Sequence, residues 1–386
     1  MRKTFRYRIF PTHRQIILLE QTLDGCRWLY NHLLEERKTS WESEKQSLSC
    51  FDQCNTFKLL KEEQPFLKDI HSQVLQNVAM RIDLAFKAFF RRIKTGQMPG
   101  YPRFRGRDRY NSFTFPQGGF RLNESLYVSK IGKIRVKKHR DIEGTIKTCT
   151  IRRTPTGKWF TNLVCDIDYR PIKQPIGPAI GIDMGLESFA TFSNSEQIEN
   201  PRFFRQEEDN LTKAQRKFSI QEKGSNVRKK ARKVVARIHE RINWRREDFC
   251  HQESHKLVNR FNTIAVEDLS INDMQQGNFR NINKSIGDAA WRMFLNFLAF
   301  KAECAGKQVI KVNPAYTSQT CSSCGSRHKL KLSDRIFHCP VCSLSLSRDH
   351  KNWGKETACF SWRRDCPSSF KRFCLTNSIK VCILDV

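Results

Sequence analysis

Nowhere in these 386 residues does an apolar run approach the roughly 20 residues that span a bilayer, so no membrane role is expected. The opening residues, Met1-Arg2-Lys3-Thr4-Phe5-Arg6, lack the apolar segment of a secretory signal, and a cytoplasmic location is the expectation. Acid is scarce: 39 Asp and Glu stand against 69 Lys and Arg, a formal charge of +30. Such a chain repels itself unless it meets an anionic partner. Nucleic acid fits best, because neutralised phosphates release counterions and give strong, salt-sensitive binding. No basic amphipathic helix stands apart from the rest, which argues against a membrane surface. Fifteen cysteines is an odd count in a large chain without an export signal, which excludes a secreted disulfide scaffold and leaves cysteines free to serve a metal.

Periodicity organises what remains. Phe5, Tyr7 and Ile9 alternate with polar residues and predict a strand over Lys3 to Phe10. Pro11 and Thr12 open a helix with a stripe from Ile16 to Leu33, and a second helix is expected from about Pro65 to Lys94. The segment Pro99-Gly100-Tyr101-Pro102-Arg103-Phe104-Arg105-Gly106-Arg107 is basic and aromatic together. Its arginines and rings suit phosphates and bases, or a loop-rich core. Short strands follow at Ser112–Phe115, Leu126–Val128, Lys133–Val136, Ile146–Arg152 and Trp159–Ile167, which read as a small β-barrel or an open sheet. Pro171 to Pro178 reads as a linker. Beyond it, strands at Ala179–Ile182, Ser188–Phe192, Thr263–Val266 and Gln308–Val312 alternate with a charged helical region, Leu211 to Phe261, and a helix, Ser285 to Cys304. That alternation predicts an α/β layer with a mixed sheet.

Two constellations carry chemistry. Cys321-Ser322-Ser323-Cys324 and Cys339-Pro340-Val341-Cys342 are two CxxC knuckles about fourteen residues apart. Four thiolates close a tetrahedral Zn²⁺ shell and leave no open position, so this zinc is structural. His328 and His338 lie nearby but are not needed. Asp183 and Glu267 each end an apolar strand, and Asp349 follows the cysteine module. Acids at strand ends gather at one sheet edge, where open α/β folds place their sites. Three converging carboxylates would need divalent cations, and paired Mg²⁺ ions there could drive phosphodiester hydrolysis.

Gly181-Ile182-Asp183-Met184-Gly185-Leu186, Val266-Glu267-Asp268-Leu269-Ser270, Pro314-Ala315-Tyr316-Thr317-Ser318-Gln319-Thr320, Cys321-Ser322-Ser323-Cys324-Gly325 and Arg348-Asp349 occur in one order. Together they resemble TnpB, the OrfB-type protein of bacterial and archaeal insertion sequences, a family related to small type V CRISPR effectors and in older usage called transposases. The resemblance implies an α+β multidomain chain: a wedge-like β-barrel (1–10 and 96–175), a helical recognition insertion (11–95), and an α/β RuvC-like, RNase H-like nuclease (179–313, continuing 347–355) with an inserted zinc ribbon (314–346). It also implies a guide RNA from the transposon end and Mg²⁺-dependent cutting of double-stranded DNA beside a short motif. Asp183, Glu267 and Asp349 match the family's catalytic acids, and Cys321, Cys324, Cys339 and Cys342 its zinc ligands. Oligomeric state, guide sequence and target motif are not readable. After Asp349-His350 the family usually continues Asn-Ala-Ala, whereas this chain has Lys351-Asn352-Trp353-Gly354-Lys355 and an atypical tail (356–386), as a frameshift would produce. A cleavage-deficient nucleic-acid-binding relative is therefore the alternative to a working endonuclease. A tyrosine recombinase is disfavoured, since no His-hydrophobe-His pair accompanies a candidate tyrosine.

Overall fold

Phe5, Tyr7 and Ile9 are buried on one side of β1 (Arg2–Phe10), while Arg6 and Arg8 face outward. The computed structural model describes residues 1–168, 177–276, 280–314, 319–321, 323–328 and 336–347. The chain divides into two compact units, Met1–Tyr169 and Arg170–Val386. Asp349, the tail and most of the proline-rich segment lie outside the described residues.

In the first unit Thr12 caps α1 (His13–Glu44) through a capping box: its hydroxyl accepts from Gln15 N–H and the Gln15 amide oxygen accepts from Thr12 N–H. The polar stretch that follows holds two short helices, α2 (Cys50–Asn55) and α3 (Phe57–Glu63), too brief to show a period in the sequence. Gln53 is fully buried there, accepting from Arg37 Nε at 2.8 Å and donating to the Leu33 carbonyl and the Glu36 carboxylate. A 3-10 turn over Pro65–Asp69 then precedes α4 (Ser72–Lys94). The single helix expected there is interrupted because Ile70 is extended, and His71 Nδ1 accepts from Gln73 N–H to start the chain afresh.

Six more strands complete the unit: β2 (Ser112–Phe115), β3 (Phe120–Leu122), β4 (Ser125–Val128), β5 (Gly132–Lys137), β6 (Thr145–Arg153) and β7 (Trp159–Asp166). Pairing is antiparallel throughout, in the order β2-β6-β7-β1-β5-β4-β3. β1 runs beside β7 from Arg2–Asp166 to Ile9–Trp159 but meets β5 only through Arg8 to Phe10. Among the described residues no ladder joins β2 to β3, so the observed sheet is open rather than a closed barrel. Gly144, at φ +79°, is required where β6 begins, because a Cβ there would sit 2.1 Å from the Asp166 carbonyl oxygen. One apolar core joins the inward side chains of the sheet to α1 and α4.

The second unit begins with an antiparallel meander, β8 (Ala179–Met184), β9 (Ser188–Phe192) and β10 (Gln197–Glu199). Helices α5 (Phe203–Ile220) and α6 (Asn226–Arg260) lead to β11 (Thr263–Glu267); α7 (Ile271–Gln276), α8 (Arg280–Ala289) and α9 (Trp291–Cys304) lead to β12 (Gln308–Val312). The sheet order is β10-β9-β8-β11-β12, with β8, β11 and β12 parallel, the mixed α/β layer expected. The helix predicted over Ser285–Cys304 is two, since Ala290 turns left-handed at φ +57° and its carbonyl starts α9. A hairpin, β13 (Ile336–His338) and β14 (Ser345–Ser347), closes the described part.

Candidate active site and cysteine cluster

Ile180, Ile182 and Met184 of β8 and Ile264 and Val266 of β11 bury themselves against α6 and α9. Side chains alternate along a strand, so Gly181, Asp183, Ala265 and Glu267 stand on the opposite face. The last registered pair between the two parallel strands is Ile182–Val266. Asp183 and Glu267 are the next residue on each, so the two strand ends present neighbouring carboxylates. Glu267 is buried and Asp183 half-buried. Across the other edge of β8, Asp183 is registered with Thr191, a buried threonine whose place beside the acids no motif announces. Asp349 is outside the described residues.

The turn that follows Asp183 is tight. Gly185 N–H donates to the Phe189 carbonyl, and a Cβ at Gly185 would lie 2.8 Å from the Ser188 oxygen. Gly185→Ala is therefore expected to shift the β8–β9 turn and cost about 1–3 kcal/mol, read as a lowered urea midpoint. A cavity of about 570 Å³ opens beside this turn, with Glu187, Arg202, Arg205 and Ser285 on its walls.

Asp288 forms part of that wall and ties three helices together. Arg202 sits at φ +48° before α5 and gives it no side-chain cap. Asp288, from α8, accepts from Phe204 N–H at 2.8 Å and Arg205 N–H at 3.3 Å instead. Arg246 of α6 reaches the same carboxylate at 2.7 Å, on a side chain only 3% exposed. Removing one partner of a buried pair strands the other. Asp288→Ala is expected to cost about 3–5 kcal/mol in chemical denaturation. An unchanged midpoint would show that α5 needs no such cap.

The four motif cysteines come together: the sulfurs of Cys321, Cys324, Cys339 and Cys342 all lie within 4.8 Å of one another, with Cys321–Cys342 at 3.6 Å and Cys324–Cys339 at 3.5 Å. A tetrahedron built on Zn–S bonds of about 2.3 Å has edges of about 3.8 Å, so the cage has the size for that ion. Gly325, at φ +78°, lets its N–H reach the Cys321 carbonyl and turn the first knuckle. Burial works against ionising Cys339, but the Ser326 hydroxyl and the Val341 and Cys342 N–H groups prevail and hold its thiol down at about 5. Among the described residues the module's own core is Cys321, Phe337, Cys339 and Leu344.

Cations and rings also meet on the sheet of the first unit. Arg6 lies 4.5 Å over Phe160, and Arg8 and Arg135 lie 4.8 and 5.8 Å from Phe10. Stacking holds these guanidiniums on an outward face where their N–H groups can meet phosphate.

Comparison with known proteins bears on the family and the fold. A family model of the OrfB/IS605 type, described as "Probable transposase", matches residues 162–277. A "Cas12f1-like, TNB domain" model matches 291–351, and a "Helix-turn-helix domain" model matches 1–46, where the structure has β1 and α1. A protein of Streptomyces pristinaespiralis named "Putative RNA-guided DNA endonuclease" is 32% identical over 358 residues, 90% of this chain and 87% of that one. InsQ of Escherichia coli K12, named in the same way, is 28% identical, covering 90% of this chain and 89% of its own. The cryo-EM structure of a Cas12f1–sgRNA–target DNA complex shares the fold at a TM-score of 0.54 and 13% identity, over 92% of this chain and 98% of that one.

Proposed function

This chain belongs to the OrfB/IS605 family, the family of TnpB, and from that premise we propose that it is an RNA-guided DNA endonuclease of an insertion sequence. The observation that carries the chemistry is the pair of carboxylates, Asp183 and Glu267, at neighbouring ends of parallel strands in the RuvC-like sheet. With Asp349 they would hold Mg²⁺, which when bound neutralises the acids and supplies an activated water. Gly181 and Ala265, both small, share that face of the strands with the acids. Thr191 offers a hydroxyl beside Asp183 to orient its carboxylate. Zn²⁺ in the four-cysteine cage is structural, making a ribbon of residues 314–346.

The remaining assignments follow the family. The seven-stranded sheet (1–10 and 96–175) serves as the wedge domain. The helices of 11–95 serve as the recognition domain, and 179–313 with 347–355 as the nuclease. A guide RNA from the transposon end reads the target by base pairing while the basic surface holds backbone. The protein works in the cytoplasm. A cleavage-deficient binder remains the second reading, favoured by one observation: the residues after Asp349, Lys351-Asn352-Trp353, do not continue the family's pattern.

Plasmid cleavage separates the two. The protein, co-expressed with RNA from the flanking transposon end, is given Mg²⁺ and targets flanked by a randomised motif. Guide-dependent cutting beside one motif is expected. Guide-dependent target binding with no cutting would leave only the binder.

A further inference from the structure

The cluster at the end of α4 is unlike a solvated helix terminus. Between Asp83 and Asp108 the chain holds seven cations and no acid. Among the described residues only Lys87 of these pairs with an acid, leaning back onto Asp83 at 2.8 Å. In the same stretch Phe90, Ile93, Met98, Tyr101 and Phe104 are 47–93% exposed. The rings are ordered against one another. Tyr101 stands edge-on to Phe86 at 5.6 Å and to Phe89 at 5.5 Å, and Phe90 packs on Phe89 at 5.2 Å. Arg37 braces Phe86 at 5.4 Å. The loop is anchored too: Asn31 accepts from Arg105 N–H at 2.7 Å and donates to its carbonyl, while the Arg105 guanidinium lies over Tyr30.

A fixed group of exposed rings bordered by unopposed cations suits a ligand that is apolar on its faces and anionic along its edge. Unpaired nucleotides have that chemistry: bases stack on the rings and phosphates meet the arginines. A protein partner would need a strongly acidic surface carrying apolar groups, and a second copy of this +30 chain brings more positive charge instead.

We propose that Phe90, Tyr101 and Phe104, with Arg91, Arg92 and Arg103, form a stacking platform for single-stranded DNA. Because guide pairing leaves one target strand without a partner, the choice of DNA rests on the nuclease reading above. Holding its unstacked bases would offset the cost of opening the duplex.

Direct binding tests this without cleavage. The full chain is titrated against a single-stranded DNA oligonucleotide carrying 2-aminopurine, with duplex DNA and an RNA of the same sequence in parallel. Phe90→Ala, Tyr101→Ala and Phe104→Ala are each expected to weaken single-stranded DNA binding about ten-fold and to lift the quenching of 2-aminopurine. Phe90→Trp and Tyr101→Trp, which keep a stacking face, should bind within about two-fold of the parent. Ring dependence in a protein that never cuts would uphold the platform and sink the nuclease reading alone. Alanine variants that bind normally would overturn the platform whatever the cleavage result, as would ring dependence confined to duplex or RNA. Loss of a dimer in light scattering with DNA binding unchanged would assign the patch to self-association instead.

Discussion

Asp183→Ala is expected to lower guide-dependent cleavage at least about a thousand-fold while target binding stays within about two-fold. The size follows from what the residue is placed to do. Each 1.4 kcal/mol of lost transition-state stabilisation is about ten-fold in rate, and removing one carboxylate from a cation site removes several. Glu267→Gln, which keeps the shape and deletes the charge, should behave alike. Both changes are tolerable to the fold, because the strands are held by Ile180, Ile182, Ile264 and Val266 on the other face. The adjacent acid is the control. Asp268 is 57% exposed and pairs with Lys311 at 2.8 Å, a surface pair worth at most about 1 kcal/mol. Asp268→Ala should therefore leave cleavage within about two-fold. Guide-dependent cutting that survives in Asp183→Ala would remove the carboxylate site from the mechanism. If Asp349→Ala alone is silent, the third ligand lies elsewhere.

What the sequence shows plainly is what repeats or alternates. β1 and β8 are readable because every second residue is apolar or the run is wholly so, and the knuckles because cysteine spacing is chemistry written in line. Asp183 and Glu267 are visible singly as strand ends; only the β8–β11 register makes them neighbours. Breaks are harder to see. Ala290 carries no glycine or proline to advertise its left-handed turn, and Ile70 looks like any apolar position of a helix. Tertiary polar partners leave no local trace at all. Asp288 caps a helix that starts 85 positions earlier and meets Arg246 42 residues before it, and Gln53 accepts from Arg37 Nε across a loop. Thr191 is hidden for the same reason, since its neighbour is fixed by strand pairing rather than by spacing.

The cysteine module should depend on its metal entirely. Its described core is four side chains, and β13 and β14 are three residues each, far less than an independent hairpin needs. Zinc binding of about 10–16 kcal/mol, as in zinc-finger peptides, is ample to fold such a piece. The full chain should carry one zinc, and Cys324→Ala none, by metal analysis of the purified protein. Chelation should expose the 321–347 segment to protease while the fragment bearing β8, β11 and β12 stays resistant, since that sheet keeps its own core with α6 and α9. Acid should act in the same direction as the chelator, because protons compete with the metal for thiolates. Cobalt substitution reports the ligand set directly, through sulfur-to-metal charge-transfer absorption. His328 Nε2 lies 3.7 Å from Cys339 Sγ, close enough to be tested as a stand-in for a sulfur. His328→Ala should keep both the zinc and the four-thiolate spectrum. A spectrum that changes on losing His328, or a module that resists protease without metal, would show that the four sulfurs are not the cage.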